Sequence, residues 1–246
     1  MSIEGPEDLE GLRRAGAAVA EARDTMTEAA KPGISTLELD HIGRDVLLKH
    51  GARSAPKLAY DFPGWTCISV NSDLAHGIPA PDKILREGDL VNIDVSAELD
   101  GYWADSGASV AVGEVGSRLK QLLWATRQAL NEAMQQARAG QPLNGIGRAV
   151  ERRARHHGFR VVRNIGGHGV GRHIHEEPHV PNHFDRRATQ PLWEGLVMTI
   201  EPFLTLNATH VVERDDGWTL STPDGSLGAQ FEHTFVVTNG MPLVLT

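Results

Sequence analysis

One eight-residue segment occurs twice in this chain. Glu87-Gly88-Asp89-Leu90-Val91-Asn92-Ile93-Asp94 aligns without gaps with Glu194-Gly195-Leu196-Val197-Met198-Thr199-Ile200-Glu201, at an offset of 107 residues. Gly33 and Gly140 share that offset, and so do Gly51 and Gly158. A repeat at so long an interval predicts a duplicated helix-helix-strand unit, because one such unit cannot bury its apolar face alone. The fold class is therefore α/β, or α+β, built from two similar halves. The 246 residues read as one domain with internal halves at 1–113 and 114–246.

Periodicity fills in each half. Leu9, Leu12, Ala15, Val19, Ala22 and Met26 recur at helical spacing over residues 7–31, and Lys31-Pro32-Gly33 ends that helix. Ser35-Thr36-Leu37-Glu38 has the form of a capping box opening a second helix, which Gly51 closes. After a loop rich in proline and glycine come strand-like runs at 66–70, 90–98 and 102–112, with Asp100-Gly101 as a hairpin turn. From Ser117 the order begins again. One helix carries Leu119, Leu122, Leu123, Leu130 and Met134 and ends at Gly140. A second bears Ile146 and Val150 and stops at Gly158, and strand-like runs follow at 197–201 and 231–237.

Charge and composition narrow the function classes. With 24 basic and 32 acidic residues the formal charge is −8, which argues against a nucleic-acid binder. The single cysteine, Cys67, excludes an internal disulfide and an all-cysteine metal site. The N-terminal Met1-Ser2-Ile3-Glu4-Gly5-Pro6-Glu7-Asp8 lacks the apolar core of a signal peptide, and no apolar run approaches the ~20 residues of a membrane span. A cytoplasmic protein without a membrane partner is expected.

The acids within the strands carry the chemical signal. Side chains alternate across a strand, so Asp94 lies on the face opposite Ile93 and Val95. With a two-residue loop at Asp100-Gly101, Asp105 pairs with Ser96 and sits diagonal to Asp94. With a four-residue loop it faces Asp94 directly. Either way two carboxylates share one face and repel unless a cation lies between them. The repeat places Glu201 at the position of Asp94, and Glu232 lies in the last apolar strand. Gly166-Gly167-His168-Gly169-Val170-Gly171 offers a nitrogen donor among glycines, which permit close approach. Asp94, Asp105, His168, Glu201 and Glu232 form an oxygen-rich set that suits two bridged divalent ions better than one tetrahedral zinc. Paired ions of this kind activate water for hydrolysis.

Other motifs carry less. His175-Glu176-Glu177-Pro178-His179 has the letters of a zinc-protease helix, but Pro178 would break that helix. The glycines at 166–171 do not spell a dinucleotide fingerprint. Asn207-Ala208-Thr209 is a glycosylation sequon without a secretory signal beside it. The basic run from Arg148 to Arg160, with His156 and His157, reads as a solvated helix face. Cys67 bears no mark of a nucleophile and is expected to pack or to line a pocket.

Several segments together resemble the type I methionine aminopeptidases. They are Cys67-Ile68-Ser69-Val70-Asn71, His76-Gly77-Ile78-Pro79, Gly88-Asp89-Leu90-Val91-Asn92-Ile93-Asp94, Gly167-His168-Gly169-Val170-Gly171, His175-Glu176-Glu177-Pro178, Thr199-Ile200-Glu201-Pro202 and Gln230-Phe231-Glu232-His233-Thr234. They run in family order over nearly the whole chain. The resemblance implies the pita-bread fold, whose pseudo-twofold halves surround a curved antiparallel sheet. It implies removal of N-terminal methionine from nascent proteins and peptides with a small second residue, by hydrolysis with a metal-activated water. Asp94, Asp105, His168, Glu201 and Glu232 would then hold two divalent ions (cobalt, manganese, iron or zinc), with Asp105 and Glu232 bridging. His76 would sit near the scissile amide nitrogen, His175 would hydrogen-bond the carbonyl oxygen, and Glu201 would handle the proton of the attacking water. Phe62, Cys67, Ile174 and Trp218 would line the methionine pocket, with Tyr60 standing in for a shifted tyrosine. The partners implied are N-terminal peptides met at the ribosome, and the state a monomer.

The chain departs from that pattern in three places. Pro56 to Pro63 differs from the segment common in relatives, Ile174 stands where many have phenylalanine, and Phe203 to His210 strays after Glu201-Pro202. Two other readings stay open on the sequence. One is a proline-specific aminopeptidase or dipeptidase of the same fold, a kind that usually carries an extra N-terminal domain for which this length leaves no room. The other is a non-catalytic pita-bread protein that only binds partners, a kind that generally loses ligands.

Overall fold

Asp100 and Gly101 both take the left-handed backbone conformation, with φ of 52° and 84°. That is the two-residue turn that matches the twist of an antiparallel hairpin. It sets the register of the strands Leu90–Leu99 and Tyr102–Ala111, placing Leu99 opposite Tyr102 and Ser96 opposite Asp105. The two-residue alternative is the one realised. These observations come from a computed structural model that describes residues 1–246.

The helices are α1 (Pro6–Ala29), α2 (Thr36–Lys49), α3 (Ala55–Tyr60), α4 (Ser117–Met134) and α5 (Asn144–His156). Helix α2 begins as the capping box predicts: Ser35 Oγ accepts from the Glu38 amide at 3.1 Å, and the Ser35 amide donates to Glu38 Oε2 at 2.8 Å. Moved by 107 residues, α2 would span 143–156, which is α5 to within one residue. The helices thus repeat as the sequence does.

Two expectations need correction. Helix α4 ends at Met134, not at Gly140. Beyond it the amides of Ala139 and Gly140 donate to Thr238 and Leu192, so pairing with distant segments replaces the helical ladder. The segment read as a plain loop contains α3, whose Ser54 cap receives the Lys57 amide and whose start accommodates Pro56.

In the first half, Arg53–Ser54 and Cys67–Val70 pair with one edge of Leu90–Leu99, and Tyr102–Ala111 takes the other. In the second half an antiparallel sheet runs Leu243–Val244, His233–Val236, Val197–Ile200, Gly166–Gly169, Glu176–Pro181. The strands Phe203–Thr205 and Gly228–Gln230 continue the pairing of Val197–Ile200 with His233–Val236 in one unbroken register. Glu201 therefore stands opposite Glu232 where Pro202 interrupts the ladder.

Each half has its own core. Ala15, Val19, Met26 and Leu39 of α1 and α2 pack on Ile68, Val91, Ile93 and Val95. Leu122, Ala129, Ile146 and Val150 of α4 and α5 pack with Met198, Ile200, Leu204 and Phe235. Complete burial of such side chains contributes about 1.5–3 kcal/mol each. The halves meet along a seam where Ala108 bridges Phe231 and the Glu232 amide donates to the Gly107 carbonyl at 2.9 Å. Arg148, Arg152, Arg155 and Arg160 are exposed as the solvated-face reading expects, while Arg153 is half-buried and paired with Glu132. No helix is long and apolar enough to cross a membrane.

Candidate metal centre

Strand alternation decides where the acids point. Ile93 and Val95 face the helices, so Asp94 and Ser96 project from the other side of the sheet, and Asp105 beside Ser96 projects with them. Across the seam, Glu201 and Glu232 project toward the same space. Asp105 is held by its own backbone, which exchanges two hydrogen bonds with the Thr234 hydroxyl at 2.9 and 2.7 Å. All five residues proposed from the sequence converge there. Donor atoms of Asp105, His168 and Glu232 lie within 4.8 Å of one another, all three residues being buried.

His168 sits on the strand Gly166–Gly169. A Cβ on Gly167 would fall 2.4 Å from the Thr199 carbonyl oxygen, and one on Gly169 would fall 2.1 Å from that of Glu177. The flanking glycines therefore admit neighbouring strands, whereas the sequence reading has them admitting a ligand. His168 Nδ1 lies 3.0 Å from the Gly169 carbonyl oxygen, which can only accept. Nδ1 thus carries the proton, and Nε2 turns its lone pair toward Asp105 Oδ2, 3.7 Å away. Burial lowers the His168 pKa to about 4, so the ring is neutral and able to ligate.

The carboxylates are crowded. Burial raises the pKa of Asp105 to about 7. Burial, followed by repulsion from the neighbouring acids, pushes Asp94, Glu201 and Glu232 well above the usual carboxylate range. Two carboxylate oxygens, Asp105 Oδ1 and Glu232 Oε1, are buried without any hydrogen-bond partner. Buried acceptors are almost always satisfied, and an acid cluster of this kind is resolved by a cation. The donor set therefore fits divalent metal.

Two supporting residues escape the sequence reading. Gln230 Nε2 donates to Glu232 Oε2 at 3.0 Å from a fully buried position. Thr199 Oγ1 accepts from the His168 amide at 3.3 Å. Gln230 precedes Glu232 by two residues on an extended segment, a same-face spacing that is the one signal able to find it.

A pocket opens beside the acids. Its lining includes Phe62, Cys67, His76, Ile174, His175 and Trp218, the six residues named for substrate, together with Tyr60, Asp94 and Asp105. Phe62 and Trp218 meet edge to face with ring centroids 5.2 Å apart. Cys67 lines this wall, and burial with Asp94 nearby pushes its thiol pKa up, which suits packing and not nucleophilic attack. His76 and His175 open onto the pocket, yet protein on their remaining sides lowers the pKa of both, that of His175 to about 4. His175 precedes the strand Glu176–Pro181, so the zinc-protease letters at 175–179 do not form a helix.

Comparison with known proteins accords with this geometry. A family model described as metallopeptidase family M24 matches residues 10–239. The Bacillus subtilis protein named methionine aminopeptidase 2 is 49% identical over 247 residues, covering 100% of this chain and 99% of that one. The chain belongs to family M24, in its type I methionine aminopeptidase branch. Other members of that branch agree. A methionine aminopeptidase of Aquifex aeolicus is 40% identical across 100% of this chain and 99% of its own. The crystal structure of methionine aminopeptidase from Thermotoga maritima superposes with a TM-score of 0.96 at 34% identity, covering 100% and 99% of the two chains. The fold is thereby the pita-bread fold of these enzymes. A prolidase from Pyrococcus furiosus shares that fold alone, at a TM-score of 0.77 and 22% identity, and this chain covers 65% of it.

Proposed function

We propose that this chain is a metal-dependent methionine aminopeptidase, one catalytic domain that removes N-terminal methionine from nascent proteins and peptides with a small second residue. The observation that carries the reading is the junction of the buried donor cluster Asp105, His168 and Glu232 with an apolar pocket bounded by Phe62, Cys67, Ile174 and Trp218. Asp94, Asp105, His168, Glu201 and Glu232 would hold two divalent ions (cobalt, manganese, iron or zinc), with Asp105 and Glu232 bridging them. When bound, such ions lower the pKa of water and polarise a carbonyl.

The chain's own groups do the rest. The methionine side chain enters the pocket against the wall that Phe62 and Trp218 form together, where an unbranched polarizable thioether gains aromatic contact. His175 donates a hydrogen bond to the scissile carbonyl oxygen as negative charge grows on it. His76 lies on the side of the leaving amide nitrogen, and Glu201 takes the proton from the attacking water. A monomer in the cytoplasm, meeting its substrates as they emerge from the ribosome, fits this role.

Purified, metal-assayed protein offered Met-Ala-Ser and Ala-Pro peptides tests the proposal. Turnover of the first and not the second is expected. Preference for Ala-Pro would establish the proline-specific alternative, and metal-loaded protein inert on both would establish a binding protein.

A further inference from the structure

Tyr60 comes from the first half of the chain and His175 from the second, 115 residues on, yet Tyr60 Oη lies 2.5 Å from His175 Nδ1. Their rings are 5.7 Å apart, tilted by 40°. Both partners are held. Tyr60 is the last residue of α3, whose end is set by Asp61 in the left-handed conformation at φ 57°. The Phe62 amide donates back to the Pro56 carbonyl at 3.2 Å, and Lys57 Nζ to that of Pro63 at 3.0 Å. On the other side Glu176 Oε1 accepts from the amides of Arg172 and His173 at 2.6 and 2.8 Å, and its Oε2 pairs with the Met1 ammonium group. The loop carrying His175 is thus tied down next to the ring it presents.

We propose that Tyr60 is a positioning residue for the reaction: its hydroxyl donates to His175 Nδ1 and so keeps the imidazole proton on Nε2, where the scissile carbonyl needs it. The proposal rests on the aminopeptidase reading for the role of His175. The direction of the bond follows from elementary chemistry. A phenol is a good donor and a poor acceptor because its lone pair is shared with the ring, whereas an unprotonated imidazole nitrogen is a strong acceptor. The bond made by one ring nitrogen decides what the other carries. With Nδ1 accepting, Nε2 bears the proton and aims a donor into the pocket. Without the hydroxyl, the ring can place its proton on either nitrogen and rotate, and only part of the population can donate to the substrate. The hydroxyl need not touch the peptide, so its effect belongs to turnover and not to ground-state binding.

Tyr60→Phe keeps the ring in the pocket wall and removes only the hydroxyl. On metal-loaded protein with a Met-Ala-Ser peptide, kcat should fall on the order of 10-fold with KM and metal content unchanged, the size seen when an orienting partner is lost. In a His175→Ala background the same change should cost nothing further. Nitrogen-15 spectra of the zinc-loaded protein give a readout independent of activity: His175 should show one protonated and one bare nitrogen, moving toward averaged values in Tyr60→Phe. An unchanged kcat, a loss confined to KM, an undiminished loss in the His175→Ala background or an unaltered spectrum would each overturn the proposal. If the parent fails to cleave methionine peptides while its spectrum shows the fixed tautomer, the aminopeptidase reading fails and the Tyr60–His175 contact stands.

Discussion

Asp105 and His168 face each other across the seam between the two halves, with Nε2 of the imidazole 3.7 Å from Oδ2 of the carboxylate. The other imidazole nitrogen is occupied by the Gly169 carbonyl, so the ring presents a lone pair and not a proton to the acid. That arrangement has little to recommend it unless a cation lies between the two.

The first prediction follows from this pair. Donor atoms of Asp105, His168 and Glu232 lie within 4.8 Å of one another, and the proposed assignment makes the two carboxylates bridges and the imidazole a ligand to one ion. Replacing either bridge with alanine should disturb binding of both ions, while His168→Ala should weaken chiefly one. Titration of the three variants with manganese, read as stoichiometry, checks this. Equal loss in all three would contradict the bridging assignment.

Metal removal should affect the fold as well as the rate. Four crowded acids, of which Asp105 and Glu232 are buried, must take up protons or repel without a cation, so the native state is favoured by any ion that binds it alone. A ligand at 100 times its Kd stabilises by about 2.7 kcal/mol. Chelator-treated protein should therefore lose turnover and unfold at a lower temperature, and excess divalent metal should restore both. Calorimetric scans with matched activity assays measure it; full turnover in a preparation shown to be metal-free would refute it.

Much of the site could be read from the sequence because it depends on local rules. The turn at Asp100-Gly101 sets the hairpin register, and alternation then puts Asp94 and Asp105 on one face. The repeat carries the same logic to Glu201. What escaped depends on tertiary contact. Tyr60 meets His175 because α3 forms within a segment rich in turn residues, and α3 depends on a cap from Ser54, whose hydroxyl in turn donates to the Trp65 carbonyl at 2.7 Å. Gly140 misled for a related reason: glycine favours a helix end, but here its left-handed residue serves a turn held by Leu192.

Acid stability should depend on Asp8. Its carboxylate accepts from the Glu4 amide at 2.9 Å, the Tyr102 hydroxyl at 3.1 Å and Arg172 at 2.6 Å. The Glu4 amide first, with Tyr102 and Arg172 adding to it, outweighs burial and lowers the pKa. A carboxylate depressed in the folded state contributes stability above its unfolded pKa, and that contribution is lost as pH falls through the folded value. Asp8→Asn should therefore be less stable than the parent at neutral pH and approach it in strong acid. Urea unfolding of both proteins at about pH 7 and about pH 3 reads the difference. A gap that stays constant between the two would remove Asp8 from the account.

Helix α1 is tied to the loop of His175 through Arg172, whose guanidinium pairs with Asp8 at 2.6 Å and lies over the Tyr102 ring, 4.1 Å from its centroid. Arg172→Ala should lower stability at neutral pH in the same direction as Asp8→Asn, and the two losses should not add, because both remove one shared contact. A double-mutant cycle by urea unfolding decides it.

Selectivity is the last prediction, and Ile174 carries it. Its side chain is buried against Ala55 and Val170 while also lining the pocket with Phe62, Cys67 and Trp218. Isoleucine keeps that wall apolar but offers no aromatic face, and a sulfur–aromatic contact is worth about 0.3–1.5 kcal/mol. A missing methylene-sized contact in such a pocket costs only about 1–3 kcal/mol. Methionine should accordingly remain the preferred first residue, with leucine and norleucine cleaved at a reduced but measurable rate. Alanine, glycine or serine in the second position should be cleaved fastest. Ile174→Phe should raise the preference for methionine over leucine by up to about 10-fold, the upper end of what one sulfur–aromatic contact supplies. A panel of peptides varied at the first residue, run on the parent and on Ile174→Phe, separates the outcomes. An unchanged ratio would mean that Ile174 only packs. Equal cleavage of lysine-, glutamate- and methionine-initiated peptides by the parent would end the methionine reading and leave a peptidase without a side-chain pocket.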